Sequence, residues 1–246
     1  MGPKKDTTKG GAILNNYERI PKRFLNTPDN PNFDIHHIKI PCRACIVAPS
    51  GSGKTNFLLN LLEKFSMPSK STGKGTFHSL CIVTRNKDEP LYKWLQEICE
   101  DIQIVEGLTN TPLLDKFDKD LNHCVVFDDL VLEKNLSRVS NYYIRARKLN
   151  CSVFFLSQSY FGIPKIIRNN CSYLILLKLS GDREVKMILS EGGIGIDRDC
   201  LISMYTYATN QKFSPLIIDY EEDPNNRFRK GLTEIINPAA HQAGEA

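Results

Sequence analysis

The 246-residue sequence predicts an α/β domain with a mostly parallel central sheet flanked by helices. Three observations lead there. Apolar runs of strand length alternate with longer stretches whose apolar residues recur at helical spacing. One run, Cys45-Ile46-Val47, leads into Ala48-Pro49-Ser50-Gly51-Ser52-Gly53-Lys54-Thr55 and then directly into a helical pattern. A later run, Cys124-Val125-Val126-Phe127, ends on Asp128-Asp129. Strand, glycine loop, Lys-Thr and helix in that order describe a phosphate-binding loop. Four apolar residues ending in acids describe a buried parallel strand that delivers carboxylates to the edge where open α/β sheets bind ligands.

Composition sets the frame. Apolar residues at 41% and charged residues at 24% are ordinary for a globular protein, and this length can bury a sizeable core. A formal charge of +4 permits contact with nucleic acid without requiring it. No apolar run approaches the length of a membrane span, so no membrane partner is expected. The N-terminus is polar and has no signal-peptide centre. Eight cysteines are scattered, mostly in or beside apolar runs, which suits reduced, buried thiols. The pair Cys42 and Cys45 has the spacing of a zinc or redox motif, but no second pair or histidine follows at ligand spacing, so a structural role is expected.

Along the chain, residues 1–16 read as disordered, with Lys4, Lys5 and Lys9 among Gly and Thr. Residues 1–41 as a whole read as a flexible extension, which Phe24, Phe33 and Ile35 would pin to the domain or to a neighbouring subunit. Residues 42–220 form the predicted domain and 221–246 a flexible tail. The first strand, near residues 43–47, is followed by a helix whose apolar face is Phe57, Leu58, Leu61, Leu62 and Phe65. Residues 68–75 form a Ser/Lys/Gly loop, and a strand at 80–84 follows. Pro90 starts a helix with Leu91, Trp94, Leu95 and Ile98 as its predicted apolar face. Further strands are expected at 102–105, 124–127, 151–156, 173–177 and 215–219. Helices are expected at 112–117, 135–148, 164–168, 184–189 and 201–207, with a glycine turn at 192–195. No fixed internal period is present. Asn86-Lys87-Asp88-Glu89 fails as a guanine-reading motif, because its fourth residue is Glu89 and it precedes the acidic strand.

The chemistry follows from residue types. Glycines let backbone N–H groups turn inward around phosphate oxygens, and the next helix adds the field of its N-terminus. Pro49, Ser50, Gly51, Ser52, Gly53, Lys54, Thr55 and Asn56 are therefore the expected nucleotide contacts. Lys54 would reach the β- and γ-phosphates, and the Thr55 hydroxyl with Asp128 would hold Mg²⁺. Asp129 would polarise the attacking water as general base, with Glu133 in reserve. Gln158, at the tip of the strand 151–156, can donate and accept at once and so touch both the γ-phosphate and the water. Arg145-Ala146-Arg147-Lys148 is, on its residues alone, a basic helix C-terminus.

The ordered set A-P-S-G-S-G-K-T, C-V-V-F-D-D and R-A-R-K-L-N-C-S-V-F-F-L-S-Q-S resembles the FtsK–HerA superfamily of P-loop ATPases. It is most similar to genome-packaging ATPases of large DNA viruses and virophages, over residues 43–177. The resemblance implies a RecA-like fold with an additional strand, in which the glutamine-bearing strand lies between the phosphate-loop strand and the acidic strand. It implies ATP and Mg²⁺ as cofactors and a homo-oligomeric ring of about five or six subunits with ATP at the interfaces. Partners would be double-stranded DNA, held without sequence preference, and the capsid or portal-vertex proteins, in the host cytoplasm at the virus factory. Gln158 matches the family's nucleotide-sensing glutamine, and Arg147 its trans-acting arginine, with Arg145 the alternative. The family's usual Gly-Arg-His reads Ala146-Arg147-Lys148 here, and its frequent Asp-Glu pair reads Asp128-Asp129.

The expected function is an ATP-driven DNA translocase that packages a viral genome. A helicase or replication-associated ATPase is the alternative, followed by a nucleotide switch or a small-molecule kinase. Lys70, Lys74, Arg85 and Lys87 are candidate DNA contacts only as basic residues on loops, and a solvated loop is the preferred reading of residues 68–75.

Overall fold

The computed structural model describes residues 15–21, 28–70, 72–99, 101–192 and 195–242. Among these the strands form one nine-stranded sheet, ordered β3-β2-β4-β5-β1-β6-β7-β8-β9. The strands are β1 (Arg43–Val47), β2 (Ser79–Thr84), β3 (Ile102–Glu106), β4 (His123–Asp128), β5 (Cys151–Ser157), β6 (Tyr173–Leu176), β7 (Leu216–Asp219), β8 (Phe228–Lys230) and β9 (Glu234–Ile235). The first six in chain order are mutually parallel, and β7, β8 and β9 continue antiparallel. The glutamine-bearing β5 lies between β1 and β4, as the resemblance implies. Register aligns the strand ends: Val47 pairs with Ser157, and Asp128 with Leu156 and with Thr84.

Strict alternation sorts the side chains into two layers. In β1, Cys45 and Val47 enter one core while Ala44, Ile46 and Ala48 enter the other. In β5, Val153 and Phe155 oppose Phe154 and Leu156 in the same manner. Helix α2 (Lys54–Ser66) covers the second face, and all five residues of its predicted apolar stripe are buried. Pro68 lies just beyond its C-cap Met67 and prevents continuation. The opposite face is covered by α4 (Ser137–Arg145), α6 (Asp182–Gly192) and α7 (Arg198–Ala208), the last capped by the Asp197 carboxylate, which accepts from the amides of Asp199 and Cys200. Short α1 (Phe33–His36) and α5 (Lys165–Arg168) complete the helices with α3 (Pro90–Ile98). No helix among the described residues is long and apolar enough to cross a membrane.

Cys42 and Cys45 sit three positions apart on extended backbone and therefore join opposite layers. That geometry is incompatible with a shared metal ion. Burial pushes the Cys42 thiol up to about 12.

Four expectations change. Residues 221–246 are not a flexible tail over 228–236: β8 and β9 extend the sheet, and Phe228 and Ile236 are buried in the core. The two strands are hard to read from sequence, since β8 buries the charged Arg229 beside Phe228 and both residues of β9 are exposed. The N-terminal extension docks from residue 28 onward, through residues other than those expected. Asn32 donates to the Met67 carbonyl, and His36 and Ile38 are fully buried, whereas Phe33 is 39% exposed and packs on the rings of His36 and His37. Phe24 and almost all of the segment predicted to be disordered lie outside the described residues, as does part of the glycine turn at 192–195. Helix α3 buries Tyr92 completely and leaves Trp94 and Ile98 53% and 59% exposed, because the Tyr92 hydroxyl is drawn to an acid at the sheet edge. Residues 112–117 form only a single 3₁₀ turn, Leu114–Lys116.

Candidate functional site

Residues 48–53 join the end of β1 to the start of α2, beside the ends of β4 and β5. Gly51 and Gly53 hold φ values of 74° and 90°, a region that disfavours side chains. Gly53 has a second reason to lack one. A Cβ there would overlap the ring of Phe213, which lies against the loop from the turn before β7.

Lys54 is folded back on its own loop: Nζ donates to the carbonyls of Ala48 at 2.7 Å and Pro49 at 3.1 Å. Burial lowers its pKa, while Asp128, Asp129 and Glu89 pull the other way. Asp128 ends β4 with a side chain almost fully buried. Its Oδ2 accepts a 2.5 Å hydrogen bond from the Tyr92 hydroxyl. Burial raises the Asp128 pKa, and the Tyr92 bond opposes that shift. Asp129 follows with a left-handed φ of 54°, which turns its carboxylate away from the strand direction. Gln158 Nε2 donates to Asp129 Oδ1 at 3.1 Å, so the two predicted water-handling residues are in direct contact. The turn carrying Gln158 is held from α6: Glu184 Oε1 accepts from the Ser159 hydroxyl at 2.5 Å and from the Tyr160 amide at 3.1 Å.

Thr55, Lys54, Asp128, Asp129 and Gln158 line one cleft of about 400 Å³. Ser50, Gly51, Gly53 and Asn56 contribute to the same cleft, while Pro49 and Ser52 line a neighbouring one of about 540 Å³ with Lys178 on the other side of Phe213. The structure thus brings the predicted nucleotide residues to two adjoining clefts divided by an aromatic ring. The lining has three carboxylates, of Glu89, Asp128 and Asp129, against the one ammonium of Lys54, an excess of negative charge that a divalent cation would balance, although no three acids among the described residues are gathered as a ligand cluster. Thr55 and Asp128 are the residues that would hold the ion.

Arg147 is elsewhere. It lies exposed on the 3₁₀ turn Ala146–Leu149 that enters the start of β5, whereas Gln158 follows the end of that strand. Seven residues of strand separate the two ends by about 20 Å. Arg147 therefore cannot serve the cleft of its own chain. Arg145 is engaged with Asp115 at 2.7 Å, while Arg147 has no ion pair among the described residues. Glu133 is outside the cleft and lies 3.9 Å from Arg85. The loop bases divide: Arg85 and Lys87 follow the end of β2, on the cleft side, and Lys70 and Lys74 precede its start, on the far side.

Sequence reading missed Glu89, Tyr92 and Phe213. Glu89 had been considered only as a failed guanine contact, and Tyr92 lay off the apolar stripe. Phe213 carries no signal, because its place against Gly53 arises from a contact between distant segments.

Neither a family model nor a curated protein sequence matches this chain. Solved structures do. The genome packaging NTPase B204 from Sulfolobus turreted icosahedral virus 2, in complex with ATP-gammaS, superposes with a TM-score of 0.53 at 12% identity, over 80% of this chain and 98% of that one. Its complex with AMP gives 0.52 at 12% identity, over 80% and 99%. The pCW3 conjugation coupling protein TcpA, with ATPgS, gives 0.50 at 12% identity, over 83% of this chain and 64% of that one. At such identities the likeness is one of fold. The fold of this chain is thus similar to that of these nucleotide-binding proteins.

Proposed function

We propose that the chain is an Mg²⁺-dependent ATPase that drives double-stranded DNA into a viral capsid. The observation that carries this reading is the insertion of β5 between β1 and β4, with Gln158 bonded to Asp129 beside the phosphate loop. Lys54 binds the β- and γ-phosphates, and Thr55 and Asp128 would hold Mg²⁺, which would supply positive charge beside the transferring phosphoryl group. Asp129 and Gln158 orient the attacking water. The arginine is supplied by a neighbour: Arg147 lies at the opposite end of β5 from its own cleft, unpaired among the described residues, as a group acting in trans would. Hydrolysis then requires a closed, head-to-tail ring of about five or six subunits, because each interface completes one site. DNA, capsid or portal-vertex proteins and the host cytoplasm complete the setting. The DNA and packaging parts are supported by the fold shared with B204, which is a viral genome packaging NTPase, and with a conjugation coupling protein.

The test is ATP hydrolysis with and without duplex DNA, alongside electron microscopy with a non-hydrolysable ATP analogue. Stimulation by DNA and closed rings threaded by duplex are expected. Equal turnover by dilute monomers removes the trans arginine, and unwinding of a forked duplex makes the protein a helicase instead.

A further inference from the structure

Hydrolysis needs a group that takes a proton from water, and a third carboxylate stands in the cleft beside the two acids of β4. Glu89 immediately precedes α3, yet its side chain makes no capping hydrogen bond to that helix. No donor among the described residues meets its carboxylate. It lines the cleft with Lys54, Thr55, Asp128, Asp129 and Gln158 and is half-buried there.

Topology explains the placement. β2 pairs with β4 so that Thr84 is opposite Asp128, and the turn leaving β2 carries Glu89 to the acid pair. Gln158 arrives from the other neighbour of β4, strand β5. The reacting region is therefore flanked from both sides. Asp129, the base expected from sequence, is less free: its side chain is one methylene shorter, and Oδ1 already accepts the Gln158 amide.

We propose that Glu89 is the general base of the hydrolysis, while Asp129 and Gln158 position the water. The inference rests on the hydrolytic reading above. As the water oxygen bonds to the γ-phosphorus, Glu89 accepts one of its protons. The bond from the γ-phosphorus to the bridging oxygen breaks, and its electron pair leaves on ADP. Glu89 returns the proton to solvent as phosphate departs. A glutamine at this position keeps the shape and the hydrogen-bond acceptor but cannot take the proton.

The experiment uses the full chain with duplex DNA. It measures ATP turnover, affinity for a non-hydrolysable ATP analogue and thermal unfolding for wild type, Glu89→Gln, Glu89→Asp and Asp129→Asn. Glu89→Gln is expected to lower kcat by about 100-fold or more while analogue affinity stays within about threefold. Glu89→Asp, which retains the carboxylate, should recover part of that loss. A smaller loss in Glu89→Gln, a loss explained by weaker analogue binding or lower melting temperature, or greater damage from Asp129→Asn overturns the assignment. An active wild type beside an active Glu89→Gln sinks this inference alone. A wild type that binds the analogue and hydrolyses no ATP sinks the hydrolytic reading and, with it, the base.

Discussion

The two edges of the central sheet differ in charge and in completeness. The edge where β1, β4 and β5 end gathers three carboxylates and an amide around one ammonium in a single cleft. The edge where β5 begins presents Arg147 and Lys148, exposed on a 3₁₀ turn, with Arg145 tied to Asp115. Under the proposed function, the first edge holds the nucleotide and the cation. The second carries the arginine that would complete a neighbour's site. A chain folded this way separates binding from completion of the site by the length of a strand, which is how assembly comes to control chemistry under the proposed mechanism.

The sharpest way to break the contrast is at Lys54. Lys54→Ala should abolish ATP hydrolysis and weaken binding of a fluorescent ATP analogue, since no other described ammonium lines the cleft. Arg147→Ala should lower turnover by about 10³- to 10⁵-fold with analogue binding intact. Arg145→Ala, which removes only an exposed ion pair, should cost about 1 kcal/mol of stability or less in a denaturant melt. Mixing Lys54→Ala with Arg147→Ala chains should restore part of the activity, because some interfaces then hold one intact cleft and one intact arginine. No restoration in a size-verified ring would end the idea of a shared site.

Tyr92→Phe sharpens the acidic side. It deletes the hydrogen bond to the buried carboxylate proposed to hold Mg²⁺ and should weaken the apparent Mg²⁺ affinity, read from turnover, by about 10- to 100-fold. Gly53→Ala should destabilise the fold and impair nucleotide binding, and Phe213→Ala should relieve only part of that, since the φ of 90° remains unfavourable for alanine. A double-mutant cycle in thermal unfolding separates the two terms.

A pH-dependent effect belongs to the far edge. His36, fully buried against Phe65, has its pKa lowered from 6.5 to about 4, first by burial. The unfolded chain binds that proton more readily, so the contribution is fully present above about pH 6.5 and is lost as pH falls towards 4. It amounts to at most about 3 kcal/mol. Denaturant melts between those pH values should show a shallower loss in His36→Gln.

Much of the site was legible because covalent neighbours define it. The strand–loop–helix containing Lys54 is local, and an apolar run ending in Asp128 names its own edge. The helical stripe of α2 was equally legible, all five of its residues being buried. Pattern failed in α3, where a hydrogen bond to Asp128 outweighed apolar spacing and turned Tyr92 inward. It failed again after residue 220, where two- and three-residue strands are too short to show alternation.

The amino-acid sequence by itself determined the fold class, the phosphate loop and the acid at the end of β4, because each is written in consecutive residues whose backbone preferences and burial agree. The resemblance placed β5 between β1 and β4, and only the tertiary structure decided the remaining strand neighbours. That ordering brought Glu89 from the turn after β2, Gln158 from β5 and Phe213 from the turn before β7 to the same loop, and it left Arg147 a strand's length away. Such meetings depend on the pairing of distant segments, a property of the whole sheet that no local stretch of chain encodes.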